Sequence, residues 1–328
     1  MSKLNPKKFL LLCKKESVLL LCHENADLDS FCSAAMVQRY LRKNKIKSTI
    51  GVPLHINEQA QNFAFSNRIS FQVNPALEEF SLVILFDLNE FAQLGKLGSK
   101  LKQLMKSKTI NVLVFDHHVV EKESIARGAN AIIGEDCVST TEVIYNLLDK
   151  PSDKALCFWN CIGIVEDTGH FLVGNAASFA SFSECLKFSG RTYSEVLSFA
   201  KHKAPEGERI AFLKAAQRAE ITKIGEAVVV TSELSFYQGA AATKLLDFGA
   251  HISIVCGKEK GELSVLSARV EAEFRDKYKF NLVKDLLLPL KEKLGGDVGG
   301  HSCAAQWKGN AEPKEVIVEC VNILKKKI

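Results

Sequence analysis

Four short apolar runs in the first half of the chain each end in an acid or a histidine. Val18 to Cys22 runs into His23, with Asp27 and Asp29 close behind. Leu82 to Phe86 ends at Asp87, Val112 to Phe115 ends at Asp116-His117-His118, and Cys161 to Val165 ends at Glu166-Asp167. Runs of four or five apolar residues suit strands buried on both faces of a parallel sheet. Between them the pattern turns helical. Residues 30–44 carry Ala34, Ala35, Val37 and Leu41 on one side, with Arg39, Arg42 and Lys43 elsewhere. Residues 94–108 have a lysine-rich face, and Ser139-Thr140-Thr141-Glu142 has the form of a capping box ahead of apolar 143–148. Strand and helix in alternation predict an α/β fold with a parallel sheet.

From Ser189 the pattern weakens. Residues 191–223 are polar and largely helical, broken by Pro205 and Gly207, and read as a linker. A second unit begins near Ile224, with apolar runs at 227–230, 252–256 and 263–266 and helical patterns at 239–247, 281–293 and 313–327. The expected organisation is an N-terminal parallel-sheet domain over 1–190, a helical linker over 191–223 and a smaller C-terminal α/β domain over 224–328.

Composition narrows the class. A chain of 328 residues suits two domains, and 47% hydrophobic with 25% charged residues is ordinary for a globular protein. The net charge of +5 permits a polyanionic substrate without requiring one. Lys325-Lys326-Lys327 reads as a solvated helix end rather than a nucleic-acid arm. Ten scattered cysteines without a Cys-x-x-Cys pair exclude a zinc ribbon and suit a reducing compartment. The apolar run Phe9 to Cys13 is too short for a signal peptide, and no run approaches a membrane span. The expectation is a cytoplasmic protein with no membrane partner.

In parallel sheets, ligands bind outside the carboxyl ends of the strands. The four run ends bring three histidines and at least four carboxylates to one edge, too many charges to leave unpaired, and divalent cations are their natural partners. Imidazole and carboxylate together suit manganese, zinc or iron better than calcium. In an extended loop Asp27 and Asp29 diverge, which suits two ions side by side. Taken singly each piece is ordinary: Asp27 or Asp29 as a helix N-cap, Asp87 as a turn residue. Four such pieces on one edge read as a metal centre.

The motifs resemble those of the DHH phosphoesterases. Asp116-His117-His118 is that family's signature, and His23-x-x-x-Asp27-x-Asp29, Asp87 and Asp167-Thr168-Gly169 are similar to its other motifs. Ser139-Thr140-x-Glu142 resembles its helix start. Gly299-Gly300-His301-Ser302-Cys303-Ala304-Ala305 resembles the glycine-rich motif of its associated substrate-binding domain. The resemblance implies one ion held by His23, Asp27 and Asp87, and another by Asp29, Asp87, His117 and Asp167, with Asp87 bridging. It implies that Asp116 orients a metal-bound imidazole and that His118 faces the substrate phosphate. Three changes depart from the family pattern: Ala26 precedes Asp27, Ser30 follows Asp29, and Gln306 replaces the motif's last glycine. Glu166 is either an outer support of the ligands or a plain strand-end acid.

In the second half, four glycines among residues 295–300, followed by His301 and an expected helix over 302–307, can surround an anion or form a plain loop. The resemblance suggests that Arg269 contacts phosphate or base; the alternative is a surface arginine. It also implies a hydrolase of single-stranded or short oligonucleotides, a phosphodiesterase or exonuclease using two divalent ions, manganese first and magnesium or cobalt as substitutes. The second domain would bind the nucleotide across a closing cleft. A nucleotide phosphatase, a dinucleotide or cyclic dinucleotide phosphodiesterase, and a non-catalytic replication or repair scaffold are the rivals. A protein partner and a homodimer stay open.

Overall fold

The structure, a computed structural model, describes residues 5–120, 124–201, 204–258 and 263–328. The chain divides into two compact units, Met1–His202 and Lys203–Ile328.

The first unit contains strands β1 (Val18–Leu21), β2 (Asn25–Ala26), β3 (Ser48–Val52), β4 (His55–Ile56), β5 (Gln72–Val73), β6 (Leu82–Phe86), β7 (Asn111–Asp116) and β8 (Asn130–Ile133). Its helices are α1 (Pro6–Lys14), α2 (Leu28–Lys43), α3 (Glu58–Ser66), α4 (Lys96–Lys106), α5 (Thr140–Leu147), α6 (Lys154–Asp167), α7 (Ala176–Ser189) and α8 (Tyr193–Ala200). Six strands form one all-parallel sheet in the order β5-β3-β1-β6-β7-β8. Because side chains alternate across a strand, the two faces belong to different cores. Leu20, Ile84, Phe86 and Phe115 pack under α1, α2 and α6, whereas Leu19, Val83, Leu85 and Val114 pack against Leu97 and Leu101 of α4. Both faces are covered, which is why these strands read as unbroken apolar runs. The chain builds outward from β1 to β3 and β5, then returns to β6 on the other side. The order thus reverses between β1 and β6, and a crevice opens at the carboxyl ends of those two strands.

One expected strand is a helix. Cys161 to Val165 lies within α6, whose fourteen residues start at the N-cap Asp153 and are buried almost all round. A helix enclosed by α2, α5 and α7 shows the same apolar run as a buried strand, and periodicity cannot separate the two. Asp167 therefore arrives at the edge from a helix end.

The second unit contains α9 (Glu206–Gln217), β9 (Glu220–Ile224), β10 (Ala227–Glu233), α10 (Gln238–Asp247), β11 (Ile252–Lys258), β12 (Ser264–Val270), α11 (Ala272–Tyr278), a π-helical stretch at Leu282–Leu287, α12 (Leu288–Leu294), β13 (Asp297–Gly300), β14 (Ala304–Gly309) and α13 (Pro313–Lys327). Its mixed sheet runs β13-β14-β12-β11-β10-β9, with only β10 and β11 parallel. One face packs on α13 and the π-helical stretch around Trp307, and the other on α9 and α10. The stretch read as a linker has no separate standing among its described residues: α8 belongs to the first unit, and α9 and β9 to the second. Residues 202 and 203 lie outside the described residues.

The helix expected over 302–307 is absent, because β14 occupies Ala304–Gly309 with Ala305, Trp307 and Gly309 turned inward at a period of two. The glycines before it serve that hairpin. A Cβ on Gly300, at φ +124°, would lie 2.5 Å from the Ala304 carbonyl oxygen, and one on Gly296 would lie 2.8 Å from the Trp307 ring. All ten cysteines are free, and no helix among the described residues is long and apolar enough to cross a membrane.

Candidate metal centre

The crevice at the carboxyl ends of β1 and β6 gathers His23, Asp27, Asp29, Asp87, His117 and Asp167. Asp87 follows β6 directly, at φ +58°, with its N–H donating to the Phe115 carbonyl 3.0 Å away. A non-glycine residue in the left-handed region is uncommon, and here the conformation aims a buried carboxylate across the crevice. Its two oxygens face different partners. Oδ2 lies 4.0 Å from His23 Nε2, and Oδ1 lies 3.5 Å from His117 Nε2. Thr140 Oγ1 donates to Oδ1 at 3.1 Å and fixes the rotamer.

Two donor sets share Asp87. His23, Asp27 and Asp87 form one; Asp29, Asp87, His117 and Asp167 form the other, and within each set one ligand atom per residue lies within 4.8 Å of the rest. A third overlapping set consists of Asp87, Asp116, His117 and His118. His23 Nε2 is 3.6 Å from Asp27 Oδ2, and His117 Nε2 is 2.9 Å from Asp167 Oδ2. Donors about 2.1 Å from a common cation lie about 3.0–3.4 Å from each other, so these spacings fit an ion in each set. His117 Nε2 and Asp167 Oδ2 are both buried, yet neither meets a hydrogen-bond partner at a hydrogen-bonding angle. Two buried polar atoms facing one another without a bond are what a ligand pair looks like before its cation is added.

The helices supply the remaining order. Asp27 is the N-cap of α2, its Oδ1 accepting from Ser30 N at 3.0 Å while Oδ2 turns toward His23. One residue thus serves as helix cap and as a candidate ligand. Asp29 sits inside α2 rather than in an extended loop, and it is fully buried. Its oxygens accept from Thr140 N at 2.6 Å and Thr141 N at 3.0 Å, the first turn of α5, where helix N–H groups favour an anion. Ser139 caps α5 through Glu142 N, but the Glu142 carboxylate accepts from Val138 N, so only half of the expected capping box forms. Gly163 of α6 completes the support: a Cβ there would lie 2.2 Å from Thr141 Oγ1 and 2.5 Å from Asp29 Oδ1.

Crowding of charge shows in the proton affinities. Burial and the charges of Asp167 and Asp87 push the Asp29 carboxyl well above the usual range. Burial likewise raises Asp167. Burial, followed by the charges of Asp27, Asp167 and Asp87, pushes Glu166 up to about 8, and its Oε2 is buried without a partner. Burial pulls the His117 imidazole down, but Asp167 and Asp87 outweigh it and push its pKa up to about 11. The same contest, won by Asp27 and Asp87, raises His23. An edge of this kind is poised to exchange protons for cations.

Asp116 and His118 stand beside the two sets. Asp116 is fully buried, and its Oδ1 holds His118 Nδ1 at 2.8 Å. The imidazole it orients is thus that of His118; from His117 it takes only the backbone N–H, at 2.8 Å. Asn89 donates to the other Asp116 oxygen at 2.6 Å, a support that no feature of the sequence advertised. His118 is 55% exposed, and Asp116 engages its Nδ1.

Arg269, Gly299, Gly300 and His301 lie in the second unit. Arg269 is half-buried within β12, in register with Ala304 of β14, and His301 occupies the exposed turn between β13 and β14. The turn closes with His301 N donating to the Ala304 carbonyl at 2.9 Å. These four residues therefore share one end of the second sheet.

Residues 17–163 match the DHH family, N-terminal domain. Over 329 aligned residues the chain is 26% identical to the uncharacterized protein MJ0988 of Methanocaldococcus jannaschii, covering 96% of this chain and 94% of that one. Among solved structures, an exopolyphosphatase-related protein from Bacteroides fragilis matches with a TM-score of 0.64 at 14% identity, covering 98% of this chain and 95% of that one. The DHH domain of PF0399, a member of the s1p family of ribosomal proteins, matches with a TM-score of 0.53 at 13% identity, covering 98% and 90%. At these identities the two structures speak for the fold.

Proposed function

From the match of residues 17–163 to the DHH family's N-terminal domain and the donor sets in the crevice, we propose that the chain is a metal-dependent phosphodiesterase that hydrolyses single-stranded or short oligonucleotides at a centre of two divalent ions. One observation carries this reading: the two oxygens of Asp87 face two different donor sets. A shared carboxylate keeps two cations close enough to act on one phosphate.

When bound, the ions supply a water acidic enough to ionise near neutral pH, and positive charge against the phosphoryl oxygens. The chain does the rest. His23 and Asp27 complete one site, and Asp29, His117 and Asp167 the other. The imidazole and carboxylate donors suit manganese, zinc or iron; the proposed ion is manganese, with magnesium or cobalt as substitutes. Asp116 holds His118 by Nδ1 and keeps its imidazole above the usual pKa, so Nε2 presents a proton to a phosphate oxygen. In the second unit, Arg269 and His301 are assigned the remaining grip on the nucleotide. The Arg269 guanidinium is partly desolvated, which strengthens a charged contact to phosphate.

The test is incubation with manganese and end-labelled RNA and DNA, from dinucleotides up to long single strands, with a nucleoside bisphosphate and cyclic dinucleotides in parallel. The reading predicts stepwise shortening that is fastest on short strands. Turnover confined to the bisphosphate or to the cyclic compounds would replace it with one of the narrower phosphoesterase activities.

A further inference from the structure

The segment that follows Asp167 is unusual in its backbone and in what it exposes. Gly169, His170 and Phe171 have φ of +56°, +64° and +67°, three consecutive residues in the left-handed region, two of them with side chains. Each such non-glycine residue costs on the order of 1 kcal/mol or more, so the surroundings must enforce the shape. They do. His170 N donates to Val165 O at 2.8 Å, Phe171 N to Thr168 Oγ1 at 3.0 Å and Val173 N to Thr168 O at 3.1 Å. The Phe171 ring turns inward, stacking on Phe179 at 4.9 Å and meeting Phe182 edge-on.

This anchoring thrusts the next two residues outward. Leu172 is 88% exposed and Val173 65%, beside a Phe179 ring that is half exposed. Gly174, next to Val173 in the chain, runs close to the same ring: a Cβ on it would lie 3.6 Å from Phe179. Leu172 also folds back over the chain leaving the metal centre, its Cδ1 3.8 Å from the Cβ position of Gly169. Gly169 is two residues from Asp167, so their Cα atoms lie within about 7 Å. A rigid, strained turn that holds apolar side chains in water beside a reactive centre gains nothing within the molecule. Three side chains also fall well short of the about 800 Å² that each partner of a stable protein complex buries. A flat apolar group on the substrate is of the size to cover these side chains.

Building on the phosphodiesterase reading above, we propose that Leu172, Val173 and Phe179 form a platform for the nucleobase beside the scissile phosphate. The platform makes the centre selective for base-bearing phosphodiesters over bare ones. Stacking a base on an aromatic ring, here that of Phe179, is worth about tenfold or more in affinity.

The experiment measures equilibrium binding, with manganese present, of a non-hydrolysable phosphorothioate dinucleotide and of its abasic counterpart. Wild type is compared with the Leu172→Ser, Val173→Ser, Phe179→Ser triple variant, whose folding is checked by circular dichroism. Turnover of the hydrolysable pair is recorded alongside. The wild type should prefer the base-bearing ligand by about tenfold, and the variant should lose most of that ratio. An unchanged ratio overturns the platform, as does an equal loss on both ligands, which would mean that the turn merely shapes the centre. A change of oligomeric state with the ratio intact would assign the patch to protein contact instead. If wild type hydrolyses neither compound but binds with the expected ratio, the catalytic reading fails and the platform stands.

Discussion

Asp87 is asked to serve two sites with one carboxylate, and the side chains around it are crowded enough that no neighbour can take over. Asp87→Asn keeps the shape and removes the charge. The variant should lose at least about 100-fold in turnover, the scale of a lost charge-stabilising contact, while its far-ultraviolet circular dichroism stays native; near-normal turnover would contradict the sharing. Proton linkage provides an independent check. His117, pushed up to about 11, and His23, Asp29 and Asp167, all raised, bind protons more tightly without metal than such groups ordinarily do. Any cation must displace those protons, so apparent affinity rises with pH. Calorimetry in two buffers of different ionisation enthalpy should register net proton release near neutrality; proton uptake would refute the ligand set. His118 behaves in the opposite sense. The Asp116 carboxylate raises its pKa, so the protonated form persists to higher pH. In Asp116→Asn the fall of activity on the alkaline side should begin at lower pH than in wild type, and an unmoved profile would detach His118 from the reaction.

At the scale of elements, the centre depends on how closely α2, α5 and α6 approach one another. Gly163→Ala adds one carbon where Thr141 and Asp29 already stand. Overpacking of this kind costs about 1–3 kcal/mol, and here it also displaces a ligand, so urea unfolding and metal titration should both register the change. The far end of the same helix is pinned by Asp153, which caps α6 and pairs with Arg39 at 3.0 Å and with Lys43. Burial would raise its carboxyl, but Lys43 and Arg39 dominate and depress its pKa to about 2. Since the unfolded chain binds that proton more readily, this stabilisation is complete above the ordinary carboxylate range and fades as pH falls toward about 2. Asp153→Asn keeps a good N-cap and loses the pairing with Arg39 and Lys43, so it should cost about 1 kcal/mol near neutrality. The gap from wild type should close in acid. How much the sequence disclosed also belongs at this scale. The buried strands β1, β6 and β7 were legible because both faces are covered and their apolar runs are unbroken. The run Cys161 to Val165 looked the same, since a helix enclosed on every side has no polar stripe to betray its period. β14 was missed because its inward set, Ala305, Trp307 and Gly309, is visible only once the neighbouring strand is known. Asn89 and Gly163 left no trace, because their value lies in a partner carboxylate far along the chain.

Across the whole molecule, each unit has its own sheet and its own pair of cores, and the candidate centre lies entirely within the first. The residues that meet in the crevice were legible as acids and histidines near the ends of successive apolar runs, and the resemblance to the DHH motifs proposed them as ligands, on a sheet whose strand order reverses between β1 and β6. The second unit was readable as α/β, and Gly296 and Gly300 are demanded by a tight hairpin whatever they bind, a need that only the paired strands reveal. Metal at the first unit should stabilise the fold by mass action, about 2.7 kcal/mol at a free concentration 100 times the dissociation constant. Thermal melting with and without a chelator would expose that gain. The central claim is tested most directly by anomalous diffraction from a crystal grown with manganese. The account predicts two peaks, about 3.5–4 Å apart, with one oxygen of Asp87 on each. A lone peak held by either donor set without Asp87, or no peak at the edge at all, would contradict it.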